Sequence, residues 1–501
     1  MPNRLVVVGL DAADYDLARP WIESGELPIL AGLSRQGLHG RLTSTKPPET
    51  PPAWTSITTG MNPGGHGVFS FWDDSLRPVT ALSVRSTRLW DYVGLAGGRS
   101  VVVNVPVTYP ASIRNGVMVA GIPHYTLDEG AVSPKSKLGE IGRHRYEIDS
   151  TLIPVLRARP QTLLNHLFEI ERRRIDTFLD LLREESWDFA MVVVTALDRI
   201  QHAAWKGEDP GPEIRQAYRL ADELVGKVVR SLDERTFVMV VSDHGFGYKP
   251  LAFHLNVLLG EMGLVGKGSR LGWELRNVLR SPYLAAAARW GPTRRITSRK
   301  IPRIKVDTRA GVDEGQSRAF APGTDGIIFA ASDEVSERIA ATVTALRGSG
   351  GENIVSVHKR EEVYHGAYTE HAPRLVVSPG REVSFSSSPF GNRVVAASDK
   401  NALGNHTPNG LFILSGAGIP SSPIEANAID VTPTALWLMR IDTGAAFDGE
   451  VVPQIAGLGS LGNLQRRTVQ DATGSEGTTG PPMSAEEERQ LTEHLRDLGY
   501  T

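Results

Sequence analysis

Seven side chains offer oxygen or imidazole nitrogen at places where the chain must turn. Asp11 follows the apolar run RLVVVGL at residues 4–10, and Asp198 and His202 stand four apart just after FAMVVVT at 189–195. Asp243 and His244 sit side by side after TFVMVV at 236–241, followed by Gly245 and Gly247, which let a backbone turn sharply and pack closely. His406 falls in GNHT at 404–407, expected in a loop before the strand at 411–414, and Thr50 is held among Pro47, Pro48, Pro51 and Pro52. Singly, each has an ordinary explanation: an Asp after a strand caps a turn, and an Asp and a His four apart occur by chance. Jointly, three Asp and three His beside strand ends, in a chain with no cysteine, make an oxygen and nitrogen ligand set suited to Zn²⁺ or Mn²⁺. Six such residues and a hydroxyl are enough for two cations. Two metal ions about 4 Å apart clamp the attacking and leaving oxygens of an in-line phosphoryl displacement. They also keep a hydroxyl nucleophile deprotonated. The set points to a two-metal phosphoester hydrolase that works through Thr50.

The elements that would position these residues alternate. Short β-branched runs at 4–10, 100–103, 117–120, 189–195 and 236–241 read as buried strands. Between them, 160–185 carries Leu163, Leu167, Ile170, Phe178 and Leu182 at helical spacing, and 213–232 is again helix. This rhythm predicts an α/β fold: a doubly wound, mostly parallel central sheet with helices on both faces. In such a sheet ligands bind outside the carboxyl ends of the strands, where the candidate residues fall. Residues 56–59 are expected to form a helix after a turn at Thr50. The rhythm is expected to resume over 319–377, with strands at 326–330 and 374–377 around a helix at 335–346.

Residues 265–309 break the pattern. Twelve Lys or Arg there face only Glu274 and Asp307, with Trp273, Tyr283 and Trp290 interspersed. This predicts an inserted cap, helical in part over 271–279. Such a stretch binds polyanions or anionic lipid, or is a solvated cap whose cations attract a phosphate-bearing substrate. The expected division is a catalytic core at 1–264 and 306–460, a basic insert at 265–305, a polar, flexible linker at 461–482, and a C-terminal helix at 483–501. Ser484 and Glu487 form the capping box that starts this helix.

Composition narrows the function classes. The 501 residues carry 54 Lys plus Arg against 57 Asp plus Glu, a formal net charge of −3. So near a balance gives no reason to expect a nucleic-acid polymer as partner. Hydrophobic residues at 41% exclude wholesale disorder. The absence of cysteine excludes disulfides and thiolate chemistry. No run of about 18 apolar residues is present to span a bilayer, and no signal peptide is recognisable, so a cytoplasmic protein is expected.

The segments VVVGLDAAD, TPPAWTSITTGMNPGGHGVFSF, TALDRIQHAAW, VSDHGFG, GNHTPNGLFILSGAGI and AIDVTPTALWLM occur in the order found in the alkaline phosphatase superfamily. The chain resembles most the type I phosphodiesterase/nucleotide pyrophosphatase branch, over residues 5–449. The resemblance implies an alkaline-phosphatase-like fold with two divalent metal ions, Zn²⁺ first and Mn²⁺ second. Asp11, Thr50, Asp243 and His244 would hold one ion, with Thr50 also the nucleophile; Asp198, His202 and His406 would hold the other. A covalent phosphothreonine, or its diester, would form and then be hydrolysed.

One position departs from the family pattern. Nucleotide pyrophosphatases place an Asn three residues after the nucleophile as a donor to a phosphoryl oxygen, and here that residue is Ala53. Asn104, Tyr109 and Lys46 are the candidate substrate contacts that could replace it. No Cys or Ser-x-Pro-x-Arg motif supports a sulfatase, and the serine of the phosphoglycerate mutases is missing. The branch resemblance implies first a phosphodiesterase acting on a small phosphoester, nucleotide or lipid-linked. A phosphomonoesterase, a phosphonate hydrolase and a phosphoryl transferase are the alternatives on the same fold. A non-catalytic metal-binding scaffold would have lost a ligand position, yet all seven are filled.

Overall fold

Apolar runs without alternation bury both faces of a strand at once, which requires a sheet covered on both sides. Val6, Val7 and Val8 are fully sealed. The computed structural model describes residues 4–267, 312–348, 351–400, 403–457, 467–469 and 483–498. Its centre is a nine-stranded sheet. The strand order is Ser422–Asn427, Gly37–Thr43, Asn409–Ser415, Thr236–Val241, Arg4–Leu10, Phe189–Val194, Ser100–Val105, Gly116–Ala120 and Val132–Ser133. All run the same way except Asn409–Ser415 and Val132–Ser133.

The two-residue period of a strand divides the core. Val6, Val8 and Leu10 pack with the helices Pro160–Glu184, Ala196–Ala204 and Pro212–Val229 on one face. Leu5 and Val7 pack on the other with Trp54 and Ile57 of Thr50–Thr59, Trp90 of Leu89–Leu95, and Leu436 of Val431–Leu438. The doubly wound, mostly parallel architecture is thus present.

Over residues 319–377 the expected strand, helix and strand are present, at Ile327–Ala330, Asp333–Ala345 and Leu375–Pro379, with a further strand at Val355–Lys359. The strands Ile327–Ala330 and Val355–Lys359 flank the helix Asp333–Ala345, but they do not extend the central sheet. Leu375–Pro379 lies between them, antiparallel to both, in a separate four-stranded sheet completed by Ala319–Phe320. The reason is packing: Val335, Ile339 and Val343 of that helix close over Ile328, Leu375 and Val377 to make a second core, shared with Phe253 and Leu259. A local strand–helix–strand pattern does not say which sheet its strands join.

The helix expected at 271–279 lies outside the described residues. Within the stretch read as linker, Arg467–Thr468 pairs in parallel with Ile441–Asp442, and Val469 is buried. The capping box is formed: the Glu487 N–H donates to Ser484 Oγ (3.3 Å) and the Ser484 N–H to Glu487 Oε2 (2.7 Å), starting Ala485–Leu498. Among the described residues no helix is long and apolar enough to cross a membrane.

Candidate active site

Three neighbouring strands deliver most of the site. Gly9 is level with Val241 on one side and Val193 on the other, so Arg4–Leu10, Thr236–Val241 and Phe189–Val194 end at one height. The chain leaves them at Asp11, at Asp243–His244 and at Thr195, where the helix Ala196–Ala204 begins. That helix needs its first amides satisfied. Glu171, buried on the neighbouring helix, accepts from the N–H groups of Thr195 (2.8 Å) and Ala196 (3.0 Å). Asp198 and His202 then share one helical face, with His202 Nε2 3.3 Å from Asp198 Oδ1.

Thr50 and His406 arrive differently. The sequence suggested Thr50 on a turn with a helix following at 56, but Thr50 is the first residue of the helix Thr50–Thr59. Pro51 and Pro52 occupy its opening turn, where a missing N–H costs nothing and the fixed φ is already helical. The helix docks where Gly9 leaves room: a Cβ on Gly9 would collide with the Trp54 indole and with Val193. Trp54 Nε1 in turn donates to Asp11 Oδ2 (3.4 Å). His406, expected in a loop, lies in the short strand Gly404–Thr407, antiparallel to Gly245–Tyr248. This ribbon can form because Gly245 carries no Cβ, which would strike the Asp14 carboxylate and the Thr407 hydroxyl. Asp14 Oδ2 accepts from Thr407 Oγ1 (2.6 Å) and from the Phe246 N–H (3.2 Å), tying three ligand-bearing segments together.

The folded chain brings the predicted ligands to one place. Ligand atoms of Asp198, His202 and His406 lie within 4.8 Å of one another, as do those of Asp11, Asp198 and His244. Asp198 therefore borders both groups, where the sequence had assigned it to one. His244 Nε2 is 3.2 Å from Asp243 Oδ2, 3.3 Å from Thr50 Oγ1 and 3.9 Å from Asp11 Oδ1. The His244 and His406 rings stack at 3.9 Å.

Tautomers follow from the partners. A carbonyl only accepts, so His244 Nδ1–H donates to Gly245 O (3.1 Å) and His406 Nδ1–H to Pro48 O (3.0 Å). Each ring then presents Nε2 to the centre, the arrangement of a metal-ligating histidine whose other nitrogen is anchored.

The electrostatics fit a cation. Burial, reinforced by Asp243 and Asp198, raises the Asp11 carboxyl well above its ordinary range. Burial pushes Asp243 up to about 8. Asp11 Oδ1 and Asp243 Oδ2 are buried without a hydrogen-bond partner. His406 and His202 point Nε2 at each other across 3.1 Å, which needs a proton or a positive ion between them. Burial disfavours a charged His406, yet Glu49 and Asp198 outweigh it and raise this ring well above its ordinary value. Protons thus gather where a divalent ion would neutralise the same acids, and a metal would displace them.

The proposed substrate contacts lie in different surroundings: Asn104 and Tyr109 are buried and Lys46 is exposed. Asn104, fully buried, donates Nδ2 to Val193 O (2.9 Å). Tyr109 stacks on His124 with ring centroids 3.6 Å apart. Lys46 is exposed, and its backbone carbonyl accepts the Tyr364 hydroxyl (2.7 Å). Sequence reasoning missed the supporting residues Asp14, Trp54, Glu171 and Arg199. A signal existed for Glu171: it is an acid, with Arg174 three residues on, inside the apolar stripe of its helix, where both are buried.

A search of curated proteins returned no match. Human ectonucleotide pyrophosphatase/phosphodiesterase 5 superposes with a TM-score of 0.54 at 14% identity, covering 91% of this chain and 99% of that one. An inactive murine ectonucleotide pyrophosphatase/phosphodiesterase 5 in complex with AMP gives 0.53 at 14% identity, covering 90% and 97%. Phosphonoacetate hydrolase from Sinorhizobium meliloti 1021 in complex with phosphonoformate gives 0.55 at 17% identity, covering 87% and 95%. These likenesses establish the alkaline-phosphatase-like fold. The family model for type I phosphodiesterase/nucleotide pyrophosphatase matches residues 5–409, and the chain belongs to that family of metal-dependent phosphoester hydrolases.

Proposed function

We propose that the protein hydrolyses a small phosphodiester or pyrophosphate, with Thr50 as nucleophile and a covalent phosphothreonine that still carries the remaining ester group as intermediate. The observation that carries this is Thr50 Oγ1, buried at a helix start and 3.3 Å from Nε2 of His244, a member of the Asp11, Asp198 and His244 group. Asp11, Asp243, His244 and Thr50 would hold one divalent ion and Asp198, His202 and His406 a second, zinc before manganese by the nitrogen share of the donors. When bound, such ions lower the pKa of a ligated hydroxyl and offset phosphoryl charge.

The chain's own residues do the rest. The Thr50 hydroxyl, held in the first helical turn, attacks phosphorus and takes the phosphoryl group as the ester oxygen leaves. Pro51 and Pro52 have no N–H and the Ala53 N–H bonds to Glu49 O, so the Thr50 N–H is the remaining amide donor of the first turn, the kind of group that binds an anion at a helix start. This donor partly replaces the amide that Ala53 lacks. Water then attacks the phosphothreonine and restores the hydroxyl. The fold shared with phosphonoacetate hydrolase keeps a phosphonate as the second reading.

Thr50→Ala should lower kcat about a thousandfold or more while the chain keeps its fold and most of its metal. Near-normal turnover by this variant would end the nucleophile assignment. Zinc-loaded protein is expected to prefer bis(p-nitrophenyl) phosphate over p-nitrophenyl phosphate. The reverse preference would make it a monoesterase, and cleavage of phosphonoacetate alone would favour the second reading.

A further inference from the structure

The C-terminal helix Ala485–Leu498 turns one face inward. Leu491 and Leu495 join the core on the face of the central sheet covered by Pro160–Glu184, and His494, next to Leu495, is buried as well. His494 Nε2 lies 3.3 Å from Asp149 Oδ2, and the Tyr125 ring packs on the imidazole with centroids 4.4 Å apart. The same carboxylate oxygen is 3.0 Å from Arg199 Nη2. Arg199 Nη1 is 3.6 Å from Asp198 Oδ2, while Asp198 Oδ1 faces His202 and His406. A chain of buried contacts thus runs from the terminal helix, through Asp149 and a guanidinium, to the back of a ligand carboxylate.

The physics of this chain is specific. An arginine beside a cation site repels the cation, and at buried positions such repulsion is poorly screened. Asp149 offsets that charge. It also fixes the planar fork, so that one edge meets Asp149 and the other Asp198 Oδ2. A buried carboxylate needs donors for its own lone pairs, and Asp149 has the Ser150 N–H (2.8 Å), Arg199 and His494. The segment carrying Asp149 is anchored in turn, because buried Arg174 donates to Ile148 O (2.7 Å).

We propose that the C-terminal helix is part of the metal site's support: His494 is a positioning residue that acts through Asp149 and Arg199 to hold Asp198 for a divalent cation. This rests on the metal-dependent function proposed above.

The test uses the full chain stripped of metal and Zn²⁺ titrated against a chromophoric chelator, with the melting temperature of each apo form. His494→Ala and Asp149→Asn should each weaken zinc binding at the Asp198 site about tenfold or more. His494→Gln, whose amide can still donate to Asp149, should restore most of the affinity. Leu491→Ala, which loosens the same helix through packing alone, should lower the melting temperature with wild-type zinc affinity. Wild-type affinity in folded His494→Ala, or in Asp149→Asn should His494→Ala not fold, would overturn the support role and leave a merely structural helix. A wild-type chain that binds no zinc would overturn the metal site itself.

Discussion

The two candidate ligand groups are built on different foundations. Asp11 directly follows one strand, Asp243 and His244 stand one residue beyond its parallel neighbour, the two strands end level, and all three residues are buried. His202 and His406 sit on a nine-residue helix and a four-residue ribbon strand, and His202 keeps 23% side-chain exposure. The first group is placed by the backbone of the central sheet. The second depends on buried polar ties: Glu171 at the helix start, Arg199 behind Asp198, and Asp14 bridging Phe246 and Thr407. Strand ends in a sheet are fixed cooperatively, whereas short elements at the rim need side-chain anchors.

Removing a ligand has the largest effect: His244→Ala and His202→Ala should each abolish turnover and lose about one metal ion per chain in elemental analysis. Equal metal content in both variants and wild type would dissolve the distinction between the groups. Asp14→Asn should act unequally. It weakens the acceptor that holds Thr407, so zinc affinity at the His406 site is expected to fall about tenfold, with the strand-end site nearly unchanged. Equal losses at both sites would mean that Asp14 supports the whole edge.

The pH dependence follows from Asp243. Burial raises its folded pKa to about 8, above its unfolded value, so the metal-free fold binds more protons than the unfolded chain. Its contribution to apo stability is present below the unfolded pKa and is lost as pH rises through about 8. Metal binding requires the deprotonated form, so the rise in melting temperature on adding zinc should grow with pH over that window. A pH-independent increment would exclude Asp243 as a ligand. The smallest effect is expected at Gly9→Ala, which pushes the Trp54 indole away from the strand. A loss of about 1–3 kcal/mol in denaturant unfolding is expected, with zinc stoichiometry retained.

Much of this site was legible because its residues follow apolar runs. The runs at 4–10, 189–194 and 236–241 identify buried parallel strands, and the polar residues after them must emerge at one edge. What could not be read was the conformation of the other contributors. The four prolines around Thr50 suggested a turn, yet two of them suit the opening turn of a helix equally well. His406 looked isolated, because its pairing partner Phe246 is distant in sequence. The strands of 319–377 looked like a continuation of the core, because local periodicity carries no information about which sheet a strand joins.

Residue types and apolar runs are enough to specify the donor set, oxygen and imidazole without sulfur, and the parallel sheet whose carboxyl edge presents half of it. Tertiary structure alone decided that Asp198 borders both ligand groups, that Thr50 opens a helix against His244, and that the terminal helix reaches the site through His494 and Asp149. Those contacts join residues up to 345 positions apart, and they exist only once apolar packing has fixed the elements between them.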